Sequence, residues 1–387
     1  MYRDTWAEID FNHIRHNIST IRRLFSPSVK MMAVVKANGY GHGGTESAYA
    51  AEQAGADYLA VAYLDEALRL REAGLKLPIL ILTPIRPEQV TLALEFNLML
   101  TITSASWFKE MRVYKPQDSF GKLNVHIKCD TGLGRIGLRT EEEWSELVPW
   151  LRAADIVVDG FFTHFATAGQ EDNSFLYLQT NRFTNMMGWA RNSGLTIGHY
   201  HCTGSAAALR FPYLAMDMVR IGAALYGFYP DKLVPHIRLK PALSLHSRIL
   251  QTKKLKQGEY LGYDNSYFAE EDQWIGTVPI GYGDGWTQRM QGTEVLVNGQ
   301  RAKVIGKISM DQLMIKLPQH YPQGTQVTLI GSQGNQTIAC KELASHINSV
   351  PQEISSSLND RIFRTNIGIK EVHTEWAIIK HKARVMS

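Results

Sequence analysis

Three cysteines in 387 residues are too few for a disulfide framework, and Cys129, Cys202 and Cys340 lie far apart along the chain. An odd number of scattered thiols fits a reducing compartment. Long apolar runs are missing as well. No stretch approaches the roughly 20 residues that a membrane-spanning helix needs. The first residues, "MYRDTWAEIDFNHIRHN", lack the charged-then-apolar pattern of an export signal, so the expected location is the cytoplasm. There is no excess of one charge: 41 Lys and Arg stand against 37 Asp and Glu, for a net +4. Without a basic stripe, neither nucleic acid nor an anionic membrane is called for as partner. The short cluster "KKLK", Lys253 to Lys256, reads as a solvated strand edge. Repeats and low-complexity segments are absent too. Hydrophobic residues make up 44% and charged residues 20%, which excludes disorder and allows a sizeable core. The length suits two domains better than one.

What is present is a rhythm. Short apolar runs alternate with helix-like segments between about residues 31 and 227. The runs are "MMAVVKA" (31–37), "YLAVAY" (58–63), "PILILT" (78–83), "LMLTIT" (98–103), "NVHIKCD" (124–130), "VVDGFFTHF" (157–165), "IGHYHC" (197–202) and "MVRIGAALYG" (218–227). Between them, "TEEEWSELVPWLRAA" places Trp144, Leu147, Val148 and Leu151 on one face, and Thr140 with Glu143 makes a capping box. Eight strands alternating with helices over about 200 residues is the arithmetic of a (β/α)8 barrel. An open doubly wound sheet is the runner-up. The runs are apolar throughout rather than alternating, as in strands covered on both faces.

From about residue 240 the rhythm gives way to strand-like runs with turn signals. Asn298-Gly299 between two of them marks a hairpin. The expected organisation is an α/β barrel domain over 1–235 and a mainly β domain over 236–387. "TWAEIDF" near the N-terminus is strand-like and suits either.

Reactive residues collect where a barrel keeps its active site, at the C-terminal strand ends. Lys36 closes the first run. Lys128, Asp130 and Arg135 lie at and after the fifth, His164 ends the sixth, His201 the seventh, and Arg220 lies in the eighth. Lys36 is the sharpest of these. A lone lysine at a strand end is more often a surface group with its amine in water. In a barrel mouth it becomes an amine of lowered pKa, able to form an imine with an aldehyde cofactor or a carbonyl substrate. "GSAAA", Gly204 to Ala208, opens a helix after the seventh run, and "RIG", Arg220 to Gly222, lies in the eighth. Loops there commonly bind phosphate, although a plain capped helix reads the same way. His164, His199 and His201 raise metal binding, but spacing supplies no third ligand and no metal is expected.

Lys36, "KANGYGHG", "DTGLGRIG", "THFA" and "MVRIGAALYG" occur in an order that resembles the fold-type III pyridoxal 5′-phosphate enzymes, alanine racemase in particular. In the β region "GYDNSY", "PIGYGDGW" and "ISMDQLMI" continue the match. The resemblance implies a (β/α)8 barrel with a C-terminal β domain, and interconversion of L- and D-alanine supplying D-alanine for peptidoglycan. It implies that Lys36 holds the cofactor as an imine and carries protons on one face of the substrate carbon. Tyr263 serves the opposite face, contributed by the partner of a homodimer. Arg135, Met310 and Tyr282 bind substrate. Tyr40, Ser205, Ile221 and Gly222 hold the phosphate, Arg220 meets the pyridine nitrogen and His164 lies against the ring. Lys128 matches a position the family often carbamylates.

Two bases suit racemisation, since a single base tends to return the proton to the face it left. A phenol, with a usual pKa near 10, needs a shift or a helper for this. The sequence departs from the family at Gly204, where asparagine is usual, and at Asp360, aligned with a tyrosine that contacts phosphate. These departures keep a serine or broad-specificity racemase open. A decarboxylase on the same barrel and a non-catalytic pyridoxal-phosphate-binding protein are the further alternatives.

Overall fold

The computed structural model describes residues 3–115 and 121–369; the expected β domain's last stretch, 370–387, lies outside the described residues. The chain divides into two compact units. One holds the residues up to Asn12, Tyr40–His42 and the chain from Pro241 on. The other holds His13–Gly39 and Gly43–Lys240. Strand β1 (Thr5–Asp10) belongs to the first of these.

The larger unit is the barrel. Its strands are β2 (Lys30–Val34), β3 (Tyr58–Val61), β4 (Ile79–Ile81), β5 (Leu98–Ile102), β6 (Leu123–Lys128), β7 (Ile156–Phe162), β8 (His199–His201) and β9 (Met218–Ile221). They pair in parallel in the order β8-β7-β6-β5-β4-β3-β2-β9. The last seam is bridged by Asp217 N–H to Tyr200 O and Arg220 N–H to Thr203 O, both 3.1 Å. Every residue of β4 and β5 is buried, as strands with helices outside and packed side chains inside require. The helix Glu141–Leu151 starts on the expected capping box, with Thr140 Oγ1 accepting from Glu143 N–H. No helix among the described residues is long and apolar enough to cross a membrane.

The smaller unit is mainly β. Its further strands are β10 (Leu243–Arg248), β11 (Gln251–Leu255), β12 (Tyr260–Leu261), β13 (Tyr267–Phe268), β14 (Gln273–Val278), β15 (Glu294–Val297), β16 (Gln300–Ile305), β17 (Leu313–Leu317), β18 (Gln326–Gln333), β19 (Gln336–Ile338) and β20 (Phe363–Ile367). The main sheet runs β11-β14-β17-β16-β15-β18-β10-β1-β20. The N-terminal strand β1 thus pairs between β10 and β20. The hairpin at Asn298-Gly299 joins β15 to β16 with both turn residues at positive φ, 48° and 76°. The lysines of "KKLK" lie on and just after the edge strand β11, where Lys254 and Lys256 pair with Asp272. Two short helices, Cys340–His346 and Pro351–Ser357, are added to this mainly β unit.

Asp57 ties down the N-terminal side of the barrel. Its carboxylate accepts from Met31 N–H (2.8 Å) and pairs with Arg22 and Lys30, both at 3.1 Å. Burial pushes its pKa up, but these donors outweigh burial and hold it below the usual value. Because the folded carboxyl is the stronger acid, its contribution is complete above the ordinary carboxylate range. It is lost as pH falls through the lower folded value. Asp57→Ala is expected to cost about 1–3 kcal/mol at neutral pH. Urea melts of both proteins should converge as the pH is lowered through that window.

Candidate active site

The first barrel strand stops at Val34, two residues before the lysine. Lys36 opens a turn, Lys36–Tyr40, whose backbone is left-handed: Ala37 (φ 52°), Asn38 (51°), Gly39 (61°) and Tyr40 (53°). Three of these are not glycine, at a usual cost of about 1–2 kcal/mol each. The barrel side of the turn is held by hydrogen bonds. Ala37 N–H donates to Glu66 Oε1 (2.6 Å), Asn38 Oδ1 accepts from Gly44 N–H (2.8 Å) and Gly39 N–H donates to Val35 O (2.9 Å). Glu66 Oε2 also accepts from Ala62 N–H at the end of β3. The sequence signals the need for special backbone through its glycines, but not that alanine, asparagine and tyrosine share the strain.

Lys36 has its pKa lowered by burial and by Arg135, opposed by Glu66. Arg135 sits on the loop after β6, closed at its base by Asp130 N–H to Leu138 O and Leu138 N–H to Lys128 O (2.8 and 2.9 Å). Lys128, at the end of β6, is buried and its pKa is pushed down to about 7 by burial and by Arg220. Its amine lies 4.7 Å from the centroid of the Phe162 ring, with the Arg220 guanidinium 5.2 Å from the same ring. Such contacts partly offset the loss of water around a buried cation.

Arg220, on β9, is 4% exposed. Its guanidinium donates to His201 Nδ1 (2.7 Å), Thr163 O (2.7 Å), His164 Nδ1 (3.1 Å), His201 O (3.2 Å) and Cys202 O (3.3 Å). His164, thereby an acceptor at Nδ1, is held well below its usual pKa by burial and then by Arg220. Gly204 explains itself here. A Cβ at 204 would come 2.8 Å from His164 Cε1, so a larger residue there would require the His164 ring to shift. Ser205 starts the next helix, and its Oγ accepts from Gly222 N–H (3.0 Å) and Ala224 N–H (3.2 Å). Ser205, Gly222 and the end of β9 are therefore brought together as expected, with the Gly222 amide engaged by the serine. Next to them, Thr203 Oγ1 is buried without a hydrogen-bond partner.

The β unit carries the other expected residues. Tyr40 groups with it, and burial pushes that phenol up to about 12. The turn Tyr40–His42 lies on β20 and the segment before it: Arg364 Nε donates to Gly41 O (3.0 Å), and a Cβ on Gly41 would overlap Ser355 O. Asp360 does not take part. Its side chain is 99% exposed and lies 3.8 Å from Arg364, so Ser355 and Ser356 are the residues of that segment against the turn. Tyr263, Tyr282 and Met310 are 67%, 43% and 53% exposed. Tyr282 N–H donates to Ser309 O and Gly283 N–H to Met310 O, which joins those two loops. Tyr263 lines a cleft of about 640 Å³ with Lys253, Lys307, Ser309 and Gln312. Among the described residues no three His, Cys, Asp or Glu side chains are arranged to hold a metal.

The barrel mouth thus gathers Lys36, Lys128, Arg135 and Arg220, with the carboxylates of Glu66 and Asp130 among the groups acting against them. A barrel with charged groups gathered at its C-terminal strand ends is of the class that keeps an active site there. The family follows from comparison. Residues 9–230 match the model of the alanine racemase N-terminal domain and 242–366 that of the C-terminal domain. An alanine racemase of Anoxybacillus flavithermus is 44% identical over 96% of this chain and 97% of its own. The crystal structure of alanine racemase from Bacillus anthracis with bound L-Ala-P superposes with a TM-score of 0.91 at 39% identity, covering 96% of each chain. A histidine racemase from Leuconostoc mesenteroides is more distant, at 30% identity and a TM-score of 0.85 over 95% of this chain and 99% of that one. The chain belongs to the alanine racemase family, and it is an isomerase of the racemase type.

Sequence reasoning missed two side chains that the structure ties to Arg220, His126 and Asp159. The signal for His126 was its position two before Lys128, hence on the same inward face of β6. Backbone strain at the lysine turn gives a direct check: Ala37→Gly should leave stability unchanged or raise it by up to about 1 kcal/mol. The same change inside an ordinary helix costs about 1 kcal/mol. Chemical denaturation measures the difference.

Proposed function

We propose that this protein interconverts L-alanine and D-alanine with pyridoxal 5′-phosphate as cofactor. The observation that carries the reading is the crowd of cations around an amine held below its ordinary pKa. Such a site repels protons and attracts a phosphate and a carboxylate. The donor set fits the cofactor. Lys36 would supply the amine for its aldehyde, Ser205 and Tyr40 with the backbone at Ile221 and Gly222 the phosphate partners, Arg220 a donor to the ring nitrogen, and His164 a neighbour of the ring. The unpartnered Thr203 hydroxyl leaves one more buried polar group there to satisfy.

When bound, the cofactor supplies an electron sink that makes the proton on a substrate's α-carbon removable. Everything else falls to the chain. Arg135, the Met310 backbone and Tyr282 hold the substrate carboxylate. Lys36 Nζ, its pKa lowered by burial and Arg135, takes or returns the proton on one face. The partner subunit's Tyr263 does so on the other. Residues 1–235 hold the cofactor in this reading, and 236–387 supply the opposing phenol. The dimer works in the cytoplasm, where the three buried thiols stay reduced and D-alanine feeds peptidoglycan. Arg220, a permanent donor, keeps the ring nitrogen unprotonated and so limits transamination.

Single L-amino acids incubated in D2O should show exchange of the α-proton with loss of optical rotation fastest for alanine. Serine or histidine exceeding alanine would move the assignment to a broader racemase, carbon dioxide release to a decarboxylase, and colour without exchange to a binding protein. Borohydride should fix the cofactor to Lys36. Tyr263→Phe should lower kcat by about 100-fold or more.

Lys128 is proposed to add carbon dioxide: its neutral amine attacks the carbon and loses one proton, leaving an N-carboxylate that orients Arg135. Only the unprotonated amine reacts, and its pKa of about 7 puts half of it in that form near neutrality. A carbamate signal from 13C-labelled carbon dioxide should appear above that pH, fade below it, and be missing in Lys128→Ala.

A further inference from the structure

Among the described residues Arg220 has no carboxylate as a hydrogen-bond partner, but a chain of hydrogen bonds leads from it to one. Its NH1 donates to His201 Nδ1 (2.7 Å); His201 Nε2 lies 3.0 Å from His126 Nδ1; His126 Nε2 lies 3.0 Å from Asp159 Oδ2. Both rings are fully buried. The two ends fix every proton between them. An arginine only donates, so His201 Nδ1 is bare and its proton sits on Nε2. A carboxylate only accepts, so His126 carries its proton on Nε2 and presents a bare Nδ1 to His201. The two constraints meet without conflict at the central bond. A second proton on either ring would leave one of these bonds with two donors.

The backbone is shaped for this chain. β6 and β7 pair Val125 with Val158, but His126 with Gly160, so Asp159 is the extra residue of a bulge. Bulges re-aim side chains, and they are rare between parallel strands. The next residue, Gly160, leaves room for the imidazole: a Cβ there would sit 2.1 Å from His126 Nδ1. Phe162 stacks on His201 with ring centroids 4.9 Å apart, fixing that ring's plane.

We propose that Asp159 is a positioning residue, the remote counterion of Arg220, which it aligns and keeps charged through the proton-ordered pair His126 and His201. The inference rests on the reading of Arg220 as the cation facing the cofactor ring. It adds a second tier of residues, reaching to the far side of the barrel interior. There Asp159 also faces His199 (3.8 Å) and Tyr58, and Arg220 and Lys128 bear on the rings from the other side. Burial raises the Asp159 pKa, yet the hydrogen bond from His126 and the nearby His199 outweigh that and keep it well below the usual range. The counter-charge is thus present at working pH.

The test is 15N–1H correlation of histidine-labelled holoenzyme. Wild type should show His126 and His201 both protonated at Nε2 only. Asp159→Asn removes the charge, and at least one ring should shift to the Nδ1–H form or to an average. In that variant kcat should fall by about tenfold or more with KM within about twofold, and Asp159→Glu should restore both readouts in part. His201 protonated at Nδ1 in wild type would overturn the proposal, even if no variant folded. So would Asp159→Asn with unchanged tautomers and unchanged kcat. The tautomers are read without reference to activity. A wrong assignment of the cofactor site would therefore leave them as stated, whereas a wrong relay would not.

Discussion

Positive charge without water is the constraint on which the barrel interior is built. Arg220 and Lys128 are 4% exposed, and Arg135 bears on both. An isolated buried charge is expensive, and proteins respond by pairing it, hydrogen-bonding it or neutralising it. Hydrogen bonding and neutralisation both occur here. Arg220 keeps its charge on five neutral acceptors and a shared aromatic face. Lys128, beside the same ring, gives up part of its charge. His164 and His201 stay neutral, pushed down by burial and by Arg220. Neutral imidazoles are what make them acceptors for Arg220, so the arginine maintains the state of the rings that hold it.

The same logic separates the strained segment from the rigid one. Parallel strands buried on both faces tolerate little irregularity, so the chain leaves the strand before the lysine and strains the next four residues instead. Strain of this kind persists only where surrounding bonds over-determine the backbone. Glu66, Asn38 and Gly44 supply those bonds on the barrel side, and Arg364 with Ser355 supplies them for the Tyr40–His42 turn in the β unit. One short turn therefore draws its geometry from two parts of the chain, which explains a motif dense in glycine yet intolerant of extra bulk.

Much of this was legible in the sequence, for reasons that can be named. The barrel was written in eight apolar runs, since β-strands with two covered faces leave a run rather than an alternation. Lys36, Lys128, Arg135, His164 and Arg220 were visible because charge at the end of an apolar strand is conspicuous. Asp159 was not. It lies within an apolar run, and only a bulge gives it an inward aim, which a period of two cannot foretell. Gly204 looked like a change of pocket and is better understood as clearance for His164. Asp360 looked like a change at the phosphate, yet its side chain is in solvent. Alignment by motif places residues along the chain; it does not say which of three neighbouring serines faces a turn.

Tyr263 leaves one question that its surroundings answer by their chemistry. A phenol serving as a proton carrier gains from losing water, because interactions strengthen in a low-dielectric site. Yet in the single chain it is 67% exposed, and so in large part are Tyr260, Phe268, Tyr282 and Met310 of the same unit. Apolar and aromatic groups crowded on one unit and open to water mark a surface meant to be covered. A two-base reaction requires that the cover bring its own reacting carbon, so a loose lid of solvent-facing chain does not suffice. The dimer proposed above would satisfy both demands, since the second copy's barrel carries a Lys36 with no phenol assigned to the opposite face. In the dimer proposed above, two copies exchanging phenols would complete two sites with one symmetric contact.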